Sequence, residues 1–106
     1  MEAGRELDRE IANKIFGADF HWVEYADADV WWVPYFSTHV ADAMEILDKL
    51  QESGWWWALE RGVLSDGSTN GVTCKLAHIS NTLRISSTNR TKAMAICMAA
   101  LATLEE

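Results

Sequence analysis

The stretch Gly54-Trp55-Trp56-Trp57-Ala58-Leu59-Glu60-Arg61 decides how this chain is to be read. As an extended strand it puts Trp55, Trp57 and Leu59 on one side and Trp56, Ala58 and Glu60 on the other. A helix would spread the three indoles around its circumference and strand at least one in water. The strand reading gives a sheet with aromatic surface on both faces, and it predicts a covering layer on each.

Downstream, Asp66-Gly67 and Asn70-Gly71 are strong turn signals within the link 62–71. A second strand over 72–79 alternates Val72, Cys74, Leu76 and His78 with Thr73, Lys75, Ala77 and Ile79. Ser80-Asn81 turns the chain into a third strand over 82–87, where Leu83 and Ile85 alternate with Thr82, Arg84 and Ser86. Links this short mean antiparallel pairing in an up-and-down meander. Residues 90–104 then follow helical spacing through Ala93, Ile96, Cys97, Ala100, Leu101 and Leu104, with Thr88 or Asn89 available as a cap.

Upstream, residues 38–51 read as an acidic amphipathic helix. Val40, Ala43, Met44, Leu47 and Leu50 line one stripe, and Ser37 or Thr38 stands ready to cap it. Residues 3–16 read as a first helix on Leu7, Ile11 and Ile15, stopped by Gly17. Between these two helices, residues 18–36 are crowded with aromatics. A short strand at 20–25 and another at 30–33, ended by Pro34, make either a lid over the sheet edge or an aromatic wall for a ligand. The assembled expectation is an α+β fold: a three-layer α-β-α sandwich, with helices on both faces of an antiparallel meander sheet, forming one domain over 1–106.

The chain has 106 residues, enough for one core, and an apolar fraction of 49% with 24% charged residues, as globular domains have. No apolar run approaches the roughly 20 residues that cross a bilayer, so no membrane association is expected. The charged start, Met1 to Glu6, does not read as a signal peptide. With two cysteines, a reducing cytoplasm is the default setting. The net charge of −7 argues against direct nucleic-acid binding. It is uneven: residues 1–60 carry thirteen acidic and four basic side chains, whereas residues 61–104 carry five basic ones and a single acid, Asp66.

Catalytic and metal signatures are weak. His21, His39 and His78 lack zinc spacing, and Cys74 and Cys97 fall on apolar positions, where core thiols are expected. Asp27 and Asp29 sit in a turn, where Asp is expected for backbone reasons. Neither a cofactor nor a metal is called for. One constellation stands out. Lys75 and Arg84 lie on the sheet, Arg90 and Lys92 open the last helix, and a helix start offers free N–H groups to phosphate. Aromatics nearby would stack on a base.

Leu7-Asp8-x-x-Ile11-Ala12-x-x-Ile15-x-Gly17, Pro34-Tyr35-Phe36-Ser37-Thr38 and the closing Arg90-Thr91-x-Ala93-x-Ala95-Ile96-Cys97-x-Ala99-Ala100-Leu101 resemble the small phage-encoded proteins of the phage ABA sandwich domain family. The resemblance covers nearly the whole chain. It implies a phage or prophage gene and the three-layer fold. Phage proteins of this build often counter host defence, and a sponge that sequesters a cyclic ADP-ribose signal is similar in layout. The resulting expectation is a non-enzymatic anti-defence protein in the host cytoplasm. It would be a homo-oligomer holding a nucleotide-derived cyclic messenger through Trp32, Tyr35, Ser37, Thr38, Trp56, Lys75, Arg84 and Arg90. The alternative is an acidic, DNA-mimic-like inhibitor of a host defence effector.

Overall fold

The computed structural model describes residues 2–17, 33–80 and 82–105. The elements are α1 (Arg5–Ile11), continued by a π turn at Ala12–Phe16, then α2 (Val40–Glu52), β1 (Trp55–Gly62), β2 (Gly71–His78), β3 (Arg84–Asn89) and α3 (Lys92–Ala102), with a last 3-10 turn at Thr103–Glu105.

The three strands form an antiparallel sheet in the order β1-β2-β3, the meander that the short links demand. The register sets Trp57 opposite Leu76, and Leu76 opposite Ile85. Trp55, Leu76, Cys74 and Ile85 are buried on this face. Here α2 lies against β1, while α3 lies against β2 and β3. The class is therefore α+β, with helices layered on a sheet.

α3 holds the centre. It touches α2, the strands β2 and β3, and α1. Ala93, Ala95, Ile96, Cys97, Ala99 and Ala100 are all buried, so the helix is covered nearly all round. A helix apolar on every side belongs in an interior, and alanine lets its neighbours approach closely. Burying Leu47 or Ile96 in this way contributes about 1.5–3 kcal/mol each.

Two boundaries differ from the spacing-based expectation. Thr88 and Asn89 pair with Thr73 and Val72 and so extend β3. The cap of α3 is instead Thr91, whose hydroxyl accepts from the Met94 N–H at 3.2 Å. α2 begins after His39, because Thr38 and His39 both donate N–H to the Tyr35 carbonyl in a turn. Gly17 does stop the first helix, at φ 55.

α2 and α3 cover the Trp55–Trp57–Leu59 face, and α1 lies against α3. On the opposite face Trp56 is 69% exposed, and Ala58, Glu60, Lys75, Arg84 and Ser86 are exposed with it. None of the three described helices supplies the second covering layer expected there. Apart from Trp56, this face offers small and charged side chains rather than a continuous apolar strip. Of the segment 18–36 read as a lid, residues 18–32 lie outside the described residues, and Trp32 with them.

Candidate functional site

The open sheet face is a grid of cross-strand rows. Trp56 stands opposite Ala77, which stands opposite Arg84. One step along, Ala58 faces Lys75, which faces Ser86. A further step brings Glu60, Thr73 and Thr88 into line. Neighbouring strands lie about 4.8 Å apart, so Trp56 and Arg84 flank Ala77 at roughly 10 Å from one another. The small residues Ala58, Ala77 and Ser86 form a floor, and Trp56, Lys75 and Arg84 rise around it. The depression so formed has a volume of about 490 Å³, within the range of small-molecule sites.

The two cations of this face are in different states. Lys75 Nζ meets Glu60 Oε1 at 2.7 Å, with both side chains about half exposed. Arg84 Nη1 donates to the Leu83 carbonyl at 2.9 Å, and among the described residues it has no carboxylate partner. At the far end the floor closes. Thr73 and Thr88 share a hydroxyl bond of 2.7 Å, and Leu64 stands close above Gly71.

Other residues singled out in the sequence lie elsewhere. Arg90 follows the last residue of β3, some six residues or roughly 20 Å along the strand from Arg84. It is engaged by Asp66 at 3.0 Å. The Ser68 backbone N–H chiefly, with Arg90 helping, holds the Asp66 carboxyl below its ordinary range. α3 itself lies on the covered side of the sheet, so its N-terminus and the pair Lys75–Arg84 are on opposite faces. The phosphate cradle expected from Lys75, Arg84, Arg90 and Lys92 together is therefore split by the sheet.

Tyr35, Ser37 and Thr38 lead into α2 and belong to a knot with α1. Ser37 is buried; its hydroxyl accepts from the Gly4 N–H at 2.9 Å, and its own N–H donates to Asp8 Oδ1 at 2.7 Å. Buried Asp8 is also paired with Arg5 at 2.8 Å. Arg5 in turn donates to the Val33 carbonyl and lies 4.0 Å over the Tyr35 ring. Tyr35 stacks on His39. These contacts fasten the first helix to the second, while Thr38 remains exposed.

Cys74 and Cys97 are free thiols in the core. Burial pushes Cys74 up to about 11. Burial, with Asp8 adding to it, pushes Cys97 up to about 12. Cys97 Sγ lies 3.3 Å from the Phe36 carbonyl. A thiol held protonated in this way is a poor nucleophile. His78 faces the covered side, edge-on to Trp55, with Nε2 at 3.1 Å from the Ser53 carbonyl. Among the described residues, no group of three or more His, Cys, Asp or Glu side chains is arranged to hold a metal ion, and no helix is long and apolar enough to cross a membrane.

Sequence reasoning found Trp56, Lys75 and Arg84 but missed the floor of Ala58, Ala77 and Ser86, and Glu60 as the counter-ion of Lys75. The usable signal was the hairpin register, with Gly62 opposite Gly71, from which every β1–β2 row follows.

The family model of the Phage ABA sandwich domain matches residues 9–101. A crystal structure of a phage protein from Bacillus cereus ATCC 14579 superposes with a TM-score of 0.67 at 19% identity, over 100% of this chain and 90% of that one. At that identity the likeness shows a shared fold. No curated protein matches the chain.

Proposed function

Since the chain belongs to the phage ABA sandwich domain family, we propose that it is a phage-encoded, non-catalytic binding protein that sequesters a nucleotide-derived cyclic signal of host immunity in the host cytoplasm. The observation that carries this reading is the open face. An exposed indole and two cations stand around a floor of small side chains, in a depression sized for one small molecule. A base stacks on Trp56, as bases do on aromatic platforms without sequence preference. Arg84, which has no acidic partner among the described residues, takes a phosphate in fork geometry. Lys75 adds a second contact, exchanging an exposed and therefore weak pair with Glu60 for the ligand.

Binding without turnover is supported by the thiols, which are core residues pushed towards protonation, and by the absence, among the described residues, of any nucleophile–base pair on the open face. The phage assignment is supported by the family and by the fold shared with a phage protein. The anti-defence role joins that origin to a face suited to a nucleotide-like anion.

Titration calorimetry with a panel of cyclic nucleotides and ADP-ribose isomers tests the reading. One of them is expected to saturate the protein and to be recovered unaltered after denaturation. Trp56→Ala should weaken binding by about tenfold or more, given roughly 1–3 kcal/mol per stacked base. No heat with any member of the panel ends the proposal. The second reading, an acidic inhibitor of a basic host effector, is favoured by Glu45, Asp48 and Glu52, which leave the outer side of α2 exposed and negative. A stoichiometric host protein captured at low salt and released at high salt, with no small molecule bound, would favour it instead.

A further inference from the structure

We infer that the open face pairs with the same face of a second copy, with the two β2 strands lying along a common two-fold axis. The row Trp56–Ala77–Arg84 is complementary to itself about its centre. Ala77 is its centre, with the exposed indole on one side and, on the other, an arginine that has no acidic partner among the described residues. A two-fold rotation about a line along β2 brings β1 of each copy over β3 of the other. Trp56 of each copy then covers Arg84 of the other, and Ala77 lies over Ala77. The contact is isologous: each copy supplies both halves of the same pair.

The chemistry of the pair is that of a cation on an aromatic face, where arginine over tryptophan is a favoured combination. Ala77 and Thr73 on the axis are small, whereas Lys75 meets Lys75 of the second copy there, each charge balanced by Glu60 of its own copy at 2.7 Å; face-to-face sheets settle about 10 Å apart. A rotation about a line across the strands would instead set Trp56 over Glu60 and Arg84 over Thr88. That arrangement leaves the indole against a carboxylate and the guanidinium without a π face.

Three short strands make a small surface, below the roughly 800 Å² per partner of a standard interface. The dimer is therefore a weak one, populated at high protein concentration. The pairing does not rest on the ligand reading, because the row is complementary to itself when empty. Only one refinement rests on it: a base stacked on Trp56 would be enclosed between the two copies, giving the burial that an open tray lacks.

Site-specific cross-linking tests the pairing. The native cysteines are buried, so an Ala77→Cys variant carries one reactive thiol. At about 10 Å the two copies are too far apart for a disulfide but within reach of a short bis-maleimide. A covalent dimer is expected. An equimolar mixture of Ala58→Cys and Ser86→Cys chains should cross-link, whereas neither should do so alone. Sedimentation of the unmodified protein should show a dimer rising with concentration, which Arg84→Glu abolishes. Monomeric sedimentation at every concentration overturns the inference, as does cross-linking of Ala58→Cys with itself. A monomer whose Ala77→Cys thiol resists reagent overturns it too, since another part of the same chain then lies there. Ligand binding is measured separately by calorimetry, so a protein that binds nucleotide as a strict monomer refutes the pairing and leaves the binding reading standing.

Discussion

Trp55 and Trp56 are adjacent in the chain and meet opposite surroundings. Trp55 is 9% exposed and sits with Leu76 and Ile85 on the covered face; Trp56 is 69% exposed on the other. The same alternation runs through all three strands. On the covered side are Trp57, Leu59, Cys74 and Ile85; on the open side are Ala58, Glu60, Lys75 and Arg84. One face is apolar and lies against α2 and α3. The other is small and charged around a single indole. Every strand thus serves two purposes on a period of two: odd positions of β1 hold the fold together, and even positions are left for something outside it.

The sharpest way to break this comparison is to truncate each indole in turn. Trp55→Ala should cost about 3–5 kcal/mol, the range for an aromatic removed from a core. Trp56→Ala should change stability by less than about 0.5 kcal/mol, as surface substitutions do. Urea unfolding followed by circular dichroism measures both. Equal losses would mean that the open face is covered in solution and that the division between the faces is false.

How much of this was legible beforehand follows from the range of the forces involved. The alternation in β1, the meander and the core placement of Cys74 and Cys97 are local consequences of side-chain period, and they read correctly from the residues. Which face would stay open did not. Indoles on both sides of 55–57 gave no local reason to prefer one, and the answer lies in Ala77 and Arg84, which only the register brings beside Trp56. Ser37 looked like a cap or a ligand contact. Its burial depends on Gly4, 33 residues earlier, and on Asp8. The capping role passed from Thr88 and Asn89 to Thr91 because ladder pairing with β2 claimed the first two, a tertiary demand that local cap preference does not contain. Of the residues proposed for a ligand, the three that the sheet register gathers stand together, and Arg90 is drawn away by Asp66.

A second test addresses how the open face is closed at its end. Gly62 lies on that face, and a Cβ there would collide with Thr73 Oγ1 and crowd Thr88 Cγ2. Those two threonines are joined by their own hydroxyl bond. Gly62→Ala should therefore destabilise by about 1–3 kcal/mol, the range for added volume where there is no room. The same substitution at an ordinary open strand position would be nearly neutral. A neutral result would show that the threonine pair is not fixed and that the depression extends further towards Gly71.

The smallest effect expected concerns the covered face and appears only in base. The folded thiols ionise at about 11 for Cys74 and about 12 for Cys97, against an ordinary value of 9.0. The unfolded chain therefore loses these protons first. The stabilisation is complete below pH 9 and is lost as pH rises towards the folded values, because deprotonation then favours the unfolded state. Between pH 9 and 10 the loss is at most about 1 kcal/mol per thiol, since one pH unit is worth 1.36 kcal/mol for a single proton. Cys74→Ala should lower stability at neutral pH by a small cavity cost and flatten the alkaline decline by one thiol's share. A decline of unchanged slope would place the Cys74 thiol in contact with solvent. It could then no longer belong to the face on which the helices lie, and the assignment of even β2 positions to the core would have to be reversed.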